Sequence, residues 1–215
     1  RSKMNDTGSP MITIGMPLFN AEDFLEEALD SLLSQSYSNF KLLISDNAST
    51  DNTESICRLY AIKDSRVSYT RQASNQGAIA NFSSVLEAAD TPYFMWAAGD
   101  DTWATEYIEK CISCLEADKS LGLVASLVVP FTNGVYSPAM QDLALLASNR
   151  PWKTRYNYLI QPEELGKANI IYGVYLTRLI QEVAARNPFK ASWGADMNLV
   201  YSCLCTANLY VIDQP

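Results

Sequence analysis

The chemistry available to this chain is that of carboxylates. Its 215 residues include no histidine, which removes Ser-His-Asp and Cys-His catalysis and leaves Asp or Glu as the general base near neutral pH. The densest acidic feature is Gly99-Asp100-Asp101, which ends the apolar run Tyr93-Phe94-Met95-Trp96-Ala97-Ala98. Two neighbouring carboxylates about 5 Å apart repel by roughly 3 kcal/mol at an effective dielectric of 20. A hard divalent cation, Mg²⁺ or Mn²⁺, is one reason to hold them together. A solvated Gly-Asp-Asp turn, which needs no ligand, is the other. A lone acid, Asp46, ends the second apolar stretch, Phe40-Lys41-Leu42-Leu43-Ile44-Ser45. Cys111 and Cys114 form a CxxC, but they lie in a segment of helical periodicity with no second ligand pair, so they read as buried helix cysteines. Five cysteines without framework spacing favour reduced thiols and a cytoplasmic setting.

The elements that must position these acids are legible from periodicity. Six successive apolar residues before Gly99 suggest a strand covered on both faces, as in a parallel sheet, and Gly99 allows a close turn at its C-terminal end. Met11 to Met16 reads as the first strand, ended by Pro17-Leu18-Phe19-Asn20, where Pro17 withdraws a ladder donor. From Ala21 to Gln35, Phe24, Leu25, Ala28, Leu29, Leu32 and Leu33 share one helical face, with Glu22, Asp23, Glu26 and Glu27 early, where the dipole favours acid. Asp46 then opens the loop Asp46-Asn47-Ala48-Ser49-Thr50-Asp51, in which Ser49, Thr50 or Asp51 can cap a helix carrying Ile56, Leu59 and Tyr60. Val67 to Arg71 is a third strand, and Asn75-Gln76-Gly77 turns into a helix carrying Ile79, Phe82, Val85, Leu86 and Ala89. Thr102 to Asp118 follows as a helix and Leu121 to Val129 as a core strand. This alternation predicts an α/β fold with a parallel sheet and right-handed crossovers. The loops after its strands share one edge, the edge where such sheets bind ligands, which brings Asp46 and Asp100/Asp101 toward one crevice.

Beyond Pro130 the pattern loosens. Turn formers fill Thr132 to Gln161 around an apolar run at Leu143 to Ala147 and the aromatic, basic segment Trp152-Lys153-Thr154-Arg155-Tyr156-Asn157-Tyr158. Aromatics among cations line a sugar or phosphate site or simply cover a surface. Ile170 to Arg178 leads into a helix, Ser192-Trp193-Gly194-Ala195-Asp196 precedes a last helix through Cys205, and Leu209 to Ile212 is a closing strand. Hydrophobic residues at 48%, charged residues at 19% and a net charge of -8 describe a globular domain and argue against a nucleic-acid backbone as partner. No run of 18 apolar residues marks a transmembrane helix. Arg1 to Pro10 reads as a flexible leader or a remnant of expression.

Taken in order, Pro17-Leu18-Phe19-Asn20 with its acidic helix, Gln35 to Phe40, Asp46-Asn47-Ala48-Ser49-Thr50-Asp51, Asn75-Gln76-Gly77 with Asn81, and Gly99-Asp100-Asp101 resemble a family 2 glycosyltransferase. The resemblance covers residues 11 to 125. It implies a single GT-A domain over 11 to 215, with a mostly parallel, Rossmann-like, doubly wound sheet flanked by helices. Residues 11 to 125 would be its nucleotide-sugar half and 126 to 215 its acceptor half. Carried over by position, Asp46 contacts the nucleotide base, with Pro17, Leu18, Phe19, Arg71, Asn75 and Gly77 around the donor. Asp100 lies near the ribose and Asp101, with Asp100, holds Mg²⁺ or Mn²⁺ on the diphosphate. Where the family often has a further acid, Ala98 stands. In the family's acidic pair at a helix start, this chain has Ala195-Asp196, which leaves Asp196 as the base. Trp103, Tyr172, Arg178 and Trp193 are weaker candidates for the acceptor.

The activity implied is inverting transfer from a nucleoside-diphosphate sugar, a UDP-sugar first, to a hydroxyl of a polysaccharide or lipid-linked glycan. It is a hexosyltransferase type of reaction at the cytoplasmic side, with peripheral membrane association or homo-oligomerisation left open. Two other classes compete. A sugar nucleotidyltransferase carries a Gly-rich basic loop after its first strand, which Pro17 to Asn20 is not; a catalytically inert nucleotide-sugar or carbohydrate-binding module would keep Asp46 without needing Asp196.

Overall fold

The computed structural model describes residues 11–132, 135–187 and 194–215; the expected leader, Arg1 to Pro10, and Trp193 lie outside them. The chain divides into two compact units, Arg1–Thr102 and Trp103–Pro215.

In the first unit, β1 (Ile12–Leu18), β2 (Phe40–Asp46), β3 (Val67–Arg71) and β4 (Tyr93–Trp96) lie in the order β3-β2-β1-β4. Every pairing among them is parallel, as the strand and helix alternation predicts. Ile12, Ile14 and Met16 of the central strand are fully buried, as are Phe94, Met95 and Trp96, and each such side chain contributes about 1.5–3 kcal/mol by leaving water. The first strand runs two residues further than expected. Pro17 stays in it beside Ser45 of β2, past the point where pairing with β4 stops at Gly15 and Trp96. A proline is tolerated where the ladder asks for no donor.

Three helices cover this sheet. α1 (Leu25–Leu33) starts later than Ala21 and buries Leu25, Ala28, Leu29 and Leu32 of the face read from the sequence; Phe24, ahead of the helix, is half exposed and Leu33 half-buried. α2 (Thr53–Lys63) buries Thr53, Cys57 and Tyr60, and Tyr60 donates to Asp30 of α1 at 2.7 Å. α3 (Ala78–Glu87) packs on β1 and β2. The Trp96 indole N–H donates to the carbonyl of Phe82 at 3.1 Å, tying α3 to β4, and meets the Phe94 ring edge-on at 4.7 Å.

In the second unit, α4 (Tyr107–Ala117) leads to β5 (Leu121–Ser126). β5 pairs parallel with β9 (Asn208–Ile212) and antiparallel with β8 (Val174–Leu176). The helix after the acidic turn therefore starts at Tyr107 and not at Thr102, and the strand from Leu121 stops at Ser126. A small hairpin, β6 (Phe131–Thr132) with β7 (Val135–Tyr136), falls where only turns were expected. A 3₁₀ turn at Gln141–Leu146 buries Leu143 and Leu146. It precedes α5 (Pro151–Ile160), α6 (Thr177–Arg186) and α7 (Ala195–Leu204). The cysteines are all free; Cys111 is buried on α4 and Cys114 half-buried. Burial, with the Asp46 charge second, pushes the Cys57 thiol up to about 12. Among the described residues no helix is long and apolar enough to cross a membrane.

Candidate functional site

Strand register builds the site in the first unit. Leu18 of β1 pairs with Asp46 of β2, and Asp46 pairs with Arg71 of β3, so three strands end level at the sheet's C-terminal edge. Pro17, Leu18, Phe19, Asp46 and Arg71 therefore come together as expected. The Leu18 carbonyl accepts the Asn47 N–H at 2.9 Å, and the buried Asn81 amide of α3 donates to the carbonyls of Leu18 at 3.2 Å and Ser45 at 2.9 Å. The Ser45 hydroxyl donates back to Asn81 Oδ1 at 2.6 Å. One side chain from a helix thus adds a donor to a carbonyl of each strand at the end of the β1 and β2 ladder, where buried carbonyls need partners.

Asp46 is fully buried, and both of its oxygens are engaged. Oδ1 accepts the Ser49 N–H at 2.8 Å and Oδ2 accepts the Tyr69 hydroxyl at 2.7 Å. Arg71 Nε stands 3.6 Å from the same carboxylate and 2.9 Å from Glu54, while its Nη2 donates to the Ser49 carbonyl at 2.9 Å. Burial, then the bond to Asp46, holds the Tyr69 hydroxyl well above the ordinary tyrosine range. The carboxylate shapes the loop after β2. That loop carries Ala48 at φ 62, a left-handed conformation that costs a non-glycine residue about 1–2 kcal/mol and that the Asp46 to Ser49 bond helps retain.

The loop is tied equally firmly to the one after β1. Asn20 Oδ1 accepts the Thr50 N–H, the Asn20 N–H donates to Ser49 Oγ, and the Ala21 N–H donates to Thr53 Oγ1, all at 2.8–2.9 Å. Glu22 does not serve its own helix: its carboxylate accepts the Asn52 N–H at 2.8 Å. The cap of α2 is Asn52 and none of the three expected residues; Asp51, just before it, accepts the Thr53 N–H at 3.0 Å. Asn75 and Gly77 join through Asn47, whose amide donates to Asn75 Oδ1 at 2.9 Å, and that same oxygen accepts the Gly77 N–H at 2.8 Å.

The acidic turn reaches this edge through Gly99. A Cβ there would come within 2.7 Å of a Leu18 methyl and 3.2 Å of Ala21 Cβ, so the turn lies closer against the β1 loop than a side chain allows without pushing Leu18 or Ala21 aside. Asp100 and Asp101 beyond it are exposed. Crowding by the surrounding chain, with the Asp100 charge second, raises the Asp101 pKa, the response of a carboxylate that would gain from a nearby cation. Among the described residues no three acidic or sulfur ligands converge as a closed metal cage. Two carboxylates with substrate phosphates and waters are nevertheless the usual donor set for Mg²⁺, and Asp100 with Asp101 fits it.

In the second unit, Asp196 is the second residue of α7, half-buried, behind Gly194 at φ 76. Tyr158 of α5 and Tyr175 of β8 lie within its electrostatic reach. Burial, with the Asp196 charge second, puts the Tyr158 hydroxyl far above its ordinary range, and that hydroxyl has no hydrogen-bond partner among the described residues. Tyr172 is half-buried at the end of a 3₁₀ turn, its carbonyl accepting the Tyr107 hydroxyl. Arg178 stands on the outer face of α6, 2.8 Å from Glu182, and Trp103 lies on the stretch before α4. The sequence reading missed Tyr69, whose role depends on the β2 and β3 register; the period-two face shared with Arg71 was the only signal for it.

A sequence profile described as "Glycosyl transferase family 2" matches residues 13–177. TuaG of Bacillus subtilis, assigned as a teichuronic acid biosynthesis glycosyltransferase, is 28% identical over 135 residues, which is 60% of this chain and 54% of that protein. WfgD of Escherichia coli, a UDP-Glc:α-D-GlcNAc-diphosphoundecaprenol β-1,3-glucosyltransferase, is 25% identical over 161 residues, 75% of this chain and 59% of its own length. The chain thus spans little more than half the length of these relatives. Staphylococcus aureus TarS 1-349 in complex with UDP-GlcNAc superimposes with TM-score 0.75 at 17% identity, over 95% of this chain and 56% of that one. The mannosyltransferase PcManGT of Pyrobaculum calidifontis, in complex with GDP-Man and Mn²⁺, gives 0.65 at 17%, over 96% and 56%. These likenesses establish the GT-A class of the fold.

Proposed function

Because the chain belongs to glycosyltransferase family 2, we propose that it transfers a hexose from a nucleoside-diphosphate sugar, UDP-linked first, to an acceptor hydroxyl with inversion. The carrying observation is the shared edge of the first unit. There Leu18, Asp46 and Arg71 end in register, and Gly99 seats the acidic turn against Leu18 and Ala21. UDP-GlcNAc and GDP-Man in the structural neighbours and UDP-Glc in the name of WfgD support a nucleotide sugar as donor.

The roles follow from chemistry. Asp46 and its loop, with Pro17, Phe19, Arg71, Asn75 and Gly77, form the nucleotide end, where carboxylate and amide groups meet base N–H donors. Asp100 and Asp101 form the diphosphate end; when bound there, Mg²⁺ or Mn²⁺ supplies Lewis-acid neutralisation of the leaving group. Asp196 takes the proton of the acceptor hydroxyl as its oxygen bonds the anomeric carbon. The bond from that carbon to the diphosphate oxygen breaks, and its electron pair leaves with the nucleoside diphosphate. One displacement inverts the centre. The acceptor is a polysaccharide or lipid-linked glycan, in keeping with what TuaG and WfgD are named for.

The test is calorimetric titration of UDP, GDP and their sugars with and without Mn²⁺, followed by donor turnover and proton NMR of the product's anomeric signal. A retained anomeric configuration would overturn inversion. Nucleotide binding without turnover in any acceptor mixture would favour a binding module instead.

A further inference from the structure

The outer face of α5 is apolar and exposed. Trp152, Tyr156, Leu159 and Ile160 are each between 56 and 60% exposed. On a helix, Tyr156 and Leu159 lie within about 40° of Trp152, and Ile160 within about 80°, so they form one apolar row. Arg155 flanks that row about 60° to one side and Lys153 about 100° to the other. The opposite face is fixed to the fold: Thr154 and Tyr158 are buried, and Lys167 donates to the Tyr158 carbonyl at 3.2 Å. Asn157 donates to the Leu145 carbonyl at 2.7 Å, which holds a further exposed apolar residue, Leu145, beside the helix.

Charge singles out the same stretch. From Leu143 to Pro162 there is no Asp or Glu, while Arg150, Lys153 and Arg155 contribute three positive charges to a chain whose net charge is -8. Indole and phenol rings that keep one polar edge, an aliphatic pair beside them and cations on both flanks are the composition of an element lying in a lipid headgroup region. A protein interface would also favour Trp, Tyr and Arg, but it is depleted of Lys, which this face carries at Lys153. An acidic protein with one basic, aromatic facet is instead oriented by a negatively charged bilayer.

We propose that this face of α5, with Leu145, is a docking surface for an anionic lipid bilayer, seated by Trp152, Tyr156 and Leu159 and steered by Arg150, Lys153 and Arg155. It does not depend on the transferase reading, because binding is measured without any sugar donor.

The experiment is co-sedimentation of the chain with vesicles of phosphatidylcholine alone or mixed with phosphatidylglycerol, at low and high salt, with tryptophan emission recorded in parallel. The mixed vesicles are expected to bind it and salt to weaken binding. Each Lys153→Gln or Arg155→Gln change should cost about fivefold, and Trp152→Ala with Tyr156→Ala at least tenfold. Trp152→Phe should keep binding while abolishing the blue shift. Trp152, Lys153 and Tyr156 are exposed and Arg155 half-buried, so melting temperatures should stay near the parent's. The proposal is overturned by absence of binding at low salt, by equal binding to neutral vesicles, or by unchanged binding of the double alanine variant. A dimer that the same double variant dissociates, with no vesicle binding, would overturn it in favour of a second copy.

Discussion

Replacing Asp46 separates its hold on the loop from the nucleotide contact proposed for it. In Asp46→Ala, the Ser49 N–H and the Tyr69 hydroxyl lose the oxygens they now reach at 2.8 and 2.7 Å, in a position that is fully buried. An unsatisfied buried donor costs about 1–3 kcal/mol. Arg71 keeps Glu54 and the Ser49 carbonyl, so it adds little. The expected loss is about 2–5 kcal/mol, which for a chain of this length lowers the melting temperature by roughly 2–4 °C per kcal/mol. Asp46→Asn keeps the shape and one acceptor for Ser49, while Tyr69 can turn to accept from the amide; about 1–2 kcal/mol is expected. Urea unfolding measures both, and UDP titration of the asparagine variant, which stays folded, reads the nucleotide role, with affinity expected to fall at least tenfold. If Asp46→Ala unfolds at the parent's urea midpoint, the carboxylate is not what holds the loop. If Asp46→Asn binds UDP as the parent does, the carboxylate does not meet the base.

Asp101→Asn should abolish the Mn²⁺ dependence of donor binding, seen by calorimetry. It should also raise folding stability at pH 7 relative to the parent but not at pH 3: a carboxylate raised above its ordinary 3.8 costs stability only as pH climbs past that value. The parent's metal affinity should fall on acidification from a higher pH than an ordinary Asp would give, which a titration series from pH 4 to 7 reads. Asp196→Asn should lower kcat by about 10²- to 10⁴-fold with unchanged UDP affinity; retained turnover would remove it from the mechanism. Gly99→Ala meets Leu18 and Ala21 and should cost about 1–3 kcal/mol by overpacking, visible in urea unfolding, whereas unchanged stability and donor KM would show that the turn tolerates the shift.

Which parts of this were legible in the sequence follows from range. β1, α1, β2 and β4 announce themselves through local periodicity, and the acids at strand ends need only that reading to fall on one edge. Pro17 looked like a terminator because the sequence does not show where pairing with β4 stops. β8 is three residues long and pairs antiparallel with β5 some fifty residues earlier, a contact no local pattern encodes. Glu22 was assigned to its own helix dipole, yet it accepts from Asn52, because a flexible side chain chooses the nearest orphan N–H in space. Tyr69 shares only a period-two face with Arg71 until the register of β2 and β3 sets it beside Asp46. The segment around Trp152 was read as aromatic and basic, but its buried and exposed faces depend on what packs beneath it.

The ties between the stretches 20–22 and 49–53 bear on how such a chain can be recombined. Asn20, Ala21 and Glu22 each hold a partner about thirty residues away, with a whole helix and strand between them. A crossover between relatives anywhere from residue 23 to residue 48 would inherit one half of these pairs from each parent and leave backbone donors without acceptors. Exchange of donor preference, by natural shuffling or by loop grafting, is therefore expected to succeed only when both segments travel together, with breakpoints before Pro17 and after Thr53.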